Sequence, residues 1–142
     1  MLRRTLLPAL LATPALLSAR AQDRPLPPHG FLFGSWTGGI FPAIETQGSV
    51  CFGAVTMIVT ADVVMRASSL DVAFRQRLVE TVALAPNGVE IRLAPIPGRA
   101  PPEAGFGCDG NPDLLRVVRR GEDEVVLQGC NEFPFPLRRC KG

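Results

Sequence analysis

The sequence predicts an all-β protein: a small antiparallel meander barrel or sandwich of about six to eight strands, with two disulfides, after an N-terminal signal peptide. Three observations lead there. Residues 1–21 have the pattern of an export leader, short runs of alternating apolar residues are punctuated by glycine, proline and asparagine, and all four cysteines lie beyond the leader. Removing 21 residues from 142 leaves 121, one domain by length and enough chain for a core of its own.

The leader comes first. Arg3 and Arg4 precede an apolar run from Leu6 to Leu17, and Ala19-Arg20-Ala21 supplies the small residues of a cleavage site, so the mature chain is expected to begin at Gln22. A run of about a dozen apolar residues is shorter than the roughly 20 needed to span a bilayer as a helix. Arg3-Arg4-Thr5-Leu6-Leu7 also resembles a twin-arginine export motif, and the general secretory route fits equally. The leader carries away Arg3, Arg4 and Arg20. Fifteen basic residues become twelve against thirteen acidic ones, a net charge of −1. A nearly neutral chain offers no electrostatic case for nucleic acid or for an anionic membrane. The basic pairs Arg119-Arg120 and Arg138-Arg139 read as solvated surface beside acidic neighbours. The expected location is periplasmic or secreted, with no stable membrane insertion after cleavage.

In that oxidising setting Cys51, Cys108, Cys130 and Cys140 are expected to form two disulfides. Three connectivities are possible. Cys108–Cys130 would close the last strong hairpin, and Cys51–Cys140 would tie an early strand to the C-terminus, each stabilising by roughly 3–4 kcal/mol through loop entropy. Zinc is disfavoured because no cysteines have C-x-x-C spacing and the one histidine, His29, lies among prolines.

The elements follow in order. Residues 22–30, with Pro25, Pro27 and Pro28, read as an extended surface lead-in, and residues 31–142 as a single β domain. Phe31 to Thr37, ending at Gly38-Gly39, reads as the first strand, and residues 40–50 as a loop. Between Val55 and Ala67 every odd position is apolar, which predicts one long strand with a buried face, bent near Ala61-Asp62. Ser68 to Asp71 would turn the chain into a returning strand over Val72–Leu84. That segment also carries Leu70, Phe74, Leu78 and Val82 at helical spacing, but its β-branched residues favour a strand. Ala85-Pro86-Asn87-Gly88 is a turn with glycine supplying a positive φ, and pairing Leu84 with Val89 and Val82 with Ile91 puts apolar residues opposite one another. Residues 95–112 hold five prolines and four glycines, a long loop with its free part at Gly98–Gly105. Leu114–Arg119 and Val125–Gln128, joined over Gly121-Glu122-Asp123, form a second hairpin. An irregular tail, Asn131–Gly142, is held by Cys140.

Gly34-Ser35-Trp36 on the first strand of a small exported β chain resembles the G-x-W signature of calycin-type barrels, which include lipocalins, avidins and periplasmic inhibitors of secreted metalloproteases. The resemblance implies a barrel in which Trp36, two residues after Gly34, closes one end as a packing residue. The four cysteines and the loop over residues 95–112 depart from that pattern.

No catalytic or cofactor constellation emerges. A histidine-dependent nucleophile would rest on His29 alone, paired cysteines leave no thiolate, and no P-loop, dinucleotide fingerprint or nucleophile elbow is present. Glu45, Asp109 and Asp113 are ordinary surface carboxylates by composition. The expected function is therefore non-enzymatic and without a cofactor: an exported binding or interaction protein for a protein or a small apolar ligand. The alternative is an inhibitor of an exported protease acting through the lead-in or a loop.

Overall fold

The computed structural model describes residues 24–48, 51, 54–67, 74–98 and 104–142. The leader and the turn expected at Ser68–Asp71 lie outside these residues. Eight antiparallel strands, each bonded to the next in sequence, form a closed barrel. They are β1 (Gly34–Gly38), β2 (Val55–Val59), β3 (Val63–Ala67), β4 (Phe74–Ala85), β5 (Gly88–Leu93), β6 (Leu114–Arg119), β7 (Glu124–Leu127) and β8 (Leu137–Arg139). Closure leaves no edge strand among the described residues.

Inward and outward residues alternate along each strand. Trp36, Met57, Val59, Val64, Val89, Ile91, Leu115, Val117, Val125 and Leu137 point inward and are completely or almost completely buried. The β4–β5 hairpin has the predicted register, Leu84 opposite Val89 and Val82 opposite Ile91. A bulge between Val79 and Thr81 restores the inward phase of β4 after Arg77 and Val79. Within the turn, Asn87 rather than the glycine adopts the left-handed conformation, φ 55°. Gly88 is required for a different reason: a Cβ there would sit 1.8 Å from the Val117 carbonyl oxygen of β6.

Four expectations need correction. The long strand over residues 55–67 is a hairpin. Thr60 accepts the Val63 amide on its hydroxyl, and its own amide donates to the Val63 carbonyl, closing a tight turn over residues 60–62. The turn reverses the phase, so Val64 and Arg66, not Val63 and Met65, face inward. Phe31 and Leu32 belong to a 3-10 turn, Gly30–Leu32, that precedes β1. The free part of the long loop is shorter than expected, because Ala104, Gly105 and Phe106 are buried over the barrel mouth. The tail is not wholly irregular, since β8 pairs with both β1 and β7 and closes the barrel.

The two ends are built differently. At the base, connections are short (residues 60–62, 86–87 and 120–123). At the opposite mouth, β1–β2 and β5–β6 are joined by residues 39–54 and 94–113. Long loops cost more entropy to order, and each of these two long connections carries a disulfide: Cys51 of the β1–β2 loop bonds Cys140, just after β8, and Cys108 of the β5–β6 loop bonds Cys130, the connectivity favoured from the sequence.

Candidate functional site

The base is closed by side chains. Trp36 is fully buried and donates its indole N–H to the Leu32 carbonyl at 2.8 Å. The Arg139 guanidinium of β8 lies 4.4 Å from the centre of the Trp36 ring and donates to the Phe33 and Phe31 carbonyls, at 2.7 and 2.5 Å. A cation over an aromatic face, also satisfied by two carbonyls, ties the 3-10 turn to the last strand. Arg139 is thus a packing residue rather than solvated surface. Gly34 has φ 119°, a backbone region that favours glycine. His29 is likewise structural: it is buried, places Nε2 3.0 Å from the Ala61 carbonyl oxygen and meets Phe33 edge-on. The end of the lead-in is therefore docked against the barrel and is not a free tether.

The mouth is plugged. Phe106 from the β5–β6 loop stacks on Phe133 from the β7–β8 loop, with ring centres 5.5 Å apart. Arg66 reaches between these loops, its guanidinium 4.8 Å from the Phe133 ring centre, and donates to the Gly105 carbonyl and Glu132. Arg77 donates to the carbonyls of Ala104, Pro112 and Ala94 and to Asp113. Two buried cations each gain a carboxylate and at least one carbonyl, which offsets their desolvation. Neither arginine is marked by the sequence as an inward residue; Arg66 breaks the apolar run Val63–Ala67, whereas Arg77 follows Arg75 and Gln76 and carries no such signal.

The carboxylates considered from the sequence are engaged structurally. Asp113 binds Arg77, Asp109 binds Arg116, and Glu45 accepts the Gln47 amide. Glu90 and Asp109 flank Arg116 and raise its pKa, chiefly through the Glu90 hydrogen bond. Among the described residues no three histidine, cysteine or acidic side chains are grouped to hold a metal.

The outer wall is asymmetric. On β2–β4 the outward positions include Ile58, Val63, Met65, Ala67, Phe74 and Leu78, with Gln76 between the last two and Glu80, Thr81 and Ala83 further along β4. Strand register sets Ile58 beside Met65, Val63 beside Leu78 and Ala67 beside Phe74. Leu78 is 62% exposed and Phe74 38%. On β5–β8 the outward positions are Glu90, Arg92, Arg116, Glu124 and Arg138, interleaved with Val118 and Val126; Glu90 pairs with Arg116 and Arg92, and Glu124 with Arg138. Two other features are exposed. The β1–β2 loop presents Phe41 and Ile44, the latter 93% exposed. Beside the 3-10 turn, an open cleft of about 470 Å³ is lined by Pro28, Phe31, Leu84, Gly88, Arg119 and Arg120 among others.

Comparison with protein-family models, with curated proteins and with solved structures finds no match.

Proposed function

We propose that this chain is an exported, non-enzymatic binding protein that docks a protein partner on the apolar outer wall of β2–β4. One observation carries the reading: six apolar side chains share one outward face of a barrel whose inward faces already supply the core. An apolar wall on a closed barrel contributes nothing to that core, and contiguous exposed apolar surface marks interaction sites. A partner on the wall fits better than an apolar ligand within the barrel, because Trp36, Met57, Ile91, Leu115, Phe106 and Phe133 occupy the inside. Outward charges on β5–β8, and strands of three to six residues in all but the twelve-residue β4, against the roughly 9–11 of membrane barrels, favour a barrel surrounded by water. Kinship with calycin-type barrels belongs to the same proposal. It is supported by the place of Gly34-Ser35-Trp36 at the start of β1 and by the burial of Trp36 at the base.

The test compares immobilised wild-type protein with a Phe74→Asp/Leu78→Asp variant and with an Arg92→Glu control, each exposed to extracytoplasmic proteins of the producing cell. Retention of one protein by wild type and control but not by the double variant is expected, because apolar anchors dominate interface energy. Equal retention by all three, or by none, contradicts the wall.

A second reading, inhibition of an exported protease, is favoured by the β1–β2 loop. Residues 41–45 project between backbone anchors at Gly39, which bonds to Pro136 and Phe135, and at Thr46, which accepts the Lys141 amide. The Cys51–Cys140 disulfide braces the same region. Such a braced, exposed loop suits a protease cleft better than the docked end of the lead-in. Inhibition of secreted proteases that survives truncation before Leu26 but is lost in Ile44→Asp would support this reading. Loss on truncation alone would return the role to the lead-in.

A further inference from the structure

Independently of the apolar wall, we infer that the cleft at the base binds a carboxylate carrying an apolar tail. Its floor is apolar for a reason visible in the register. Leu84 lies on the inward phase of β4, opposite the buried Val89, yet it is 79% exposed, because it stands at the rim beside the 3-10 turn. Phe31 and Pro28 form the adjoining surface. This is an inward-facing leucine that the described residues leave uncovered.

The rim is cationic because the nearby acids are committed elsewhere. Arg119 ends β6 at the cleft and Arg120 follows it. In the following turn, Asp123 receives Lys141 at 2.9 Å and Arg139 at 3.3 Å, and Glu124 pairs with Arg138 at 3.2 Å. The Lys141 hydrogen bond, with both cations nearby, holds the Asp123 carboxyl below its usual pKa, so it stays charged and engaged. Arg119 packs its guanidinium 5.3 Å from the Phe31 ring centre and donates through Nε to the Gly121 carbonyl. That arrangement orients the guanidinium while leaving its two terminal nitrogens without a carboxylate among the described residues. Arg120 likewise has no ion pair among the described residues. Glu122 is the one carboxylate of the turn not drawn into these pairs, and it offsets one of the two positive charges. A net positive rim above an apolar floor is complementary to a monoanion with a hydrocarbon body: the carboxylate meets the Arg119 fork, where bidentate geometry is available, and the tail covers Leu84 and Phe31. The volume falls within the range of small-molecule sites.

A free medium-chain acid and a peptide C-terminus ending in an apolar residue share this chemistry. The test is calorimetric titration of the disulfide-bonded protein with decanoate below its micelle concentration, with decanol, and with a short leucine-terminated peptide as free acid and as amide. Saturable binding of decanoate or of the free-acid peptide is expected, weakened at least tenfold for decanol or the amide. In Arg119→Gln/Arg120→Gln and in Leu84→Asp, whose circular dichroism should match wild type, binding should fall at least tenfold. Binding of decanoate alone identifies a free amphiphile, of the peptide alone a chain terminus, and of both the shared chemistry. Absence of saturable binding by either anion, equal binding of the neutral analogues, or affinity unchanged in both variants would overturn the inference.

Discussion

The two halves of the barrel wall share one core but present different surfaces. On β5–β8 the outward residues pair their charges across strands, Glu90 with Arg116 and Glu124 with Arg138, as expected of a face solvated throughout its life. On β2–β4 Ile58, Val63, Met65, Ala67, Phe74 and Leu78 face outward, with Gln76, Glu80 and Thr81 as the polar positions of β4. Both halves supply the core from their inward side chains, Met57, Val59 and Val64 on one and Ile91, Leu115 and Val125 on the other. The comparison teaches a division of labour: inward side chains, disulfides and buried arginines hold the barrel, and, on the function proposed above, the outward residues of one half decide what it meets.

The division can be broken most severely from the holding side. Replacing Cys51 and Cys140 by alanine opens a loop with a sequence separation of 89, against 22 for Cys108–Cys130. By chain entropy the first change should cost about 4–5 kcal/mol and the second about 3 kcal/mol, read from urea denaturation. Next, Trp36→Ala removes the fully buried plug of the base and should cost about 3–5 kcal/mol. Arg77→Met strands the carbonyls of Ala104 and Ala94 and should cost about 1–3 kcal/mol; an unchanged urea midpoint would mean that the mouth is not held by its buried cations. On the presenting side, Leu78→Ser should leave stability within about 0.5 kcal/mol of wild type, as for surface substitutions generally. A larger loss would make the apolar wall part of the frame and erase the contrast.

The smallest effect concerns pH. The folded Asp123 carboxyl is held below its usual range by Lys141 and Arg139. Its contribution is therefore present above about pH 4, near its unfolded pKa, and is lost as pH falls through the depressed folded value. Asp123→Asn should lower the urea midpoint slightly at pH 7, and the difference from wild type should shrink as the pH is lowered below 4.

The hairpins β4–β5 and β6–β7 were legible because their signals are local: Val89, Ile91 and Leu93 alternate with charges, and turn residues sit between the strands. Residues 55–67 were misread because the odd-position apolar pattern runs unbroken through Ala61, and only the Thr60 hydroxyl and its contact with Val63 reveal the reversal. That missed turn hid the apolar wall, since it put Val63 and Met65 inside and Arg66 outside. β8 escaped notice for another reason. Three residues after a proline-rich stretch carry no periodicity, and their strand character comes from pairing with β1 and β7. Leu84 shows the limit of pattern reading: its phase is inward as expected, but only the position of the 3-10 turn leaves it exposed in a cleft.

The claim that one half of the wall is the working surface is tested most directly by photo-cross-linking in the producing cell. A photoreactive residue is placed at Leu78 on the apolar half and, in a separate variant, at Arg138 on the charged half. The account predicts one discrete cross-linked partner from position 78 and none from position 138. Equal cross-linking from the two positions, or a partner captured from position 138 alone, would contradict it.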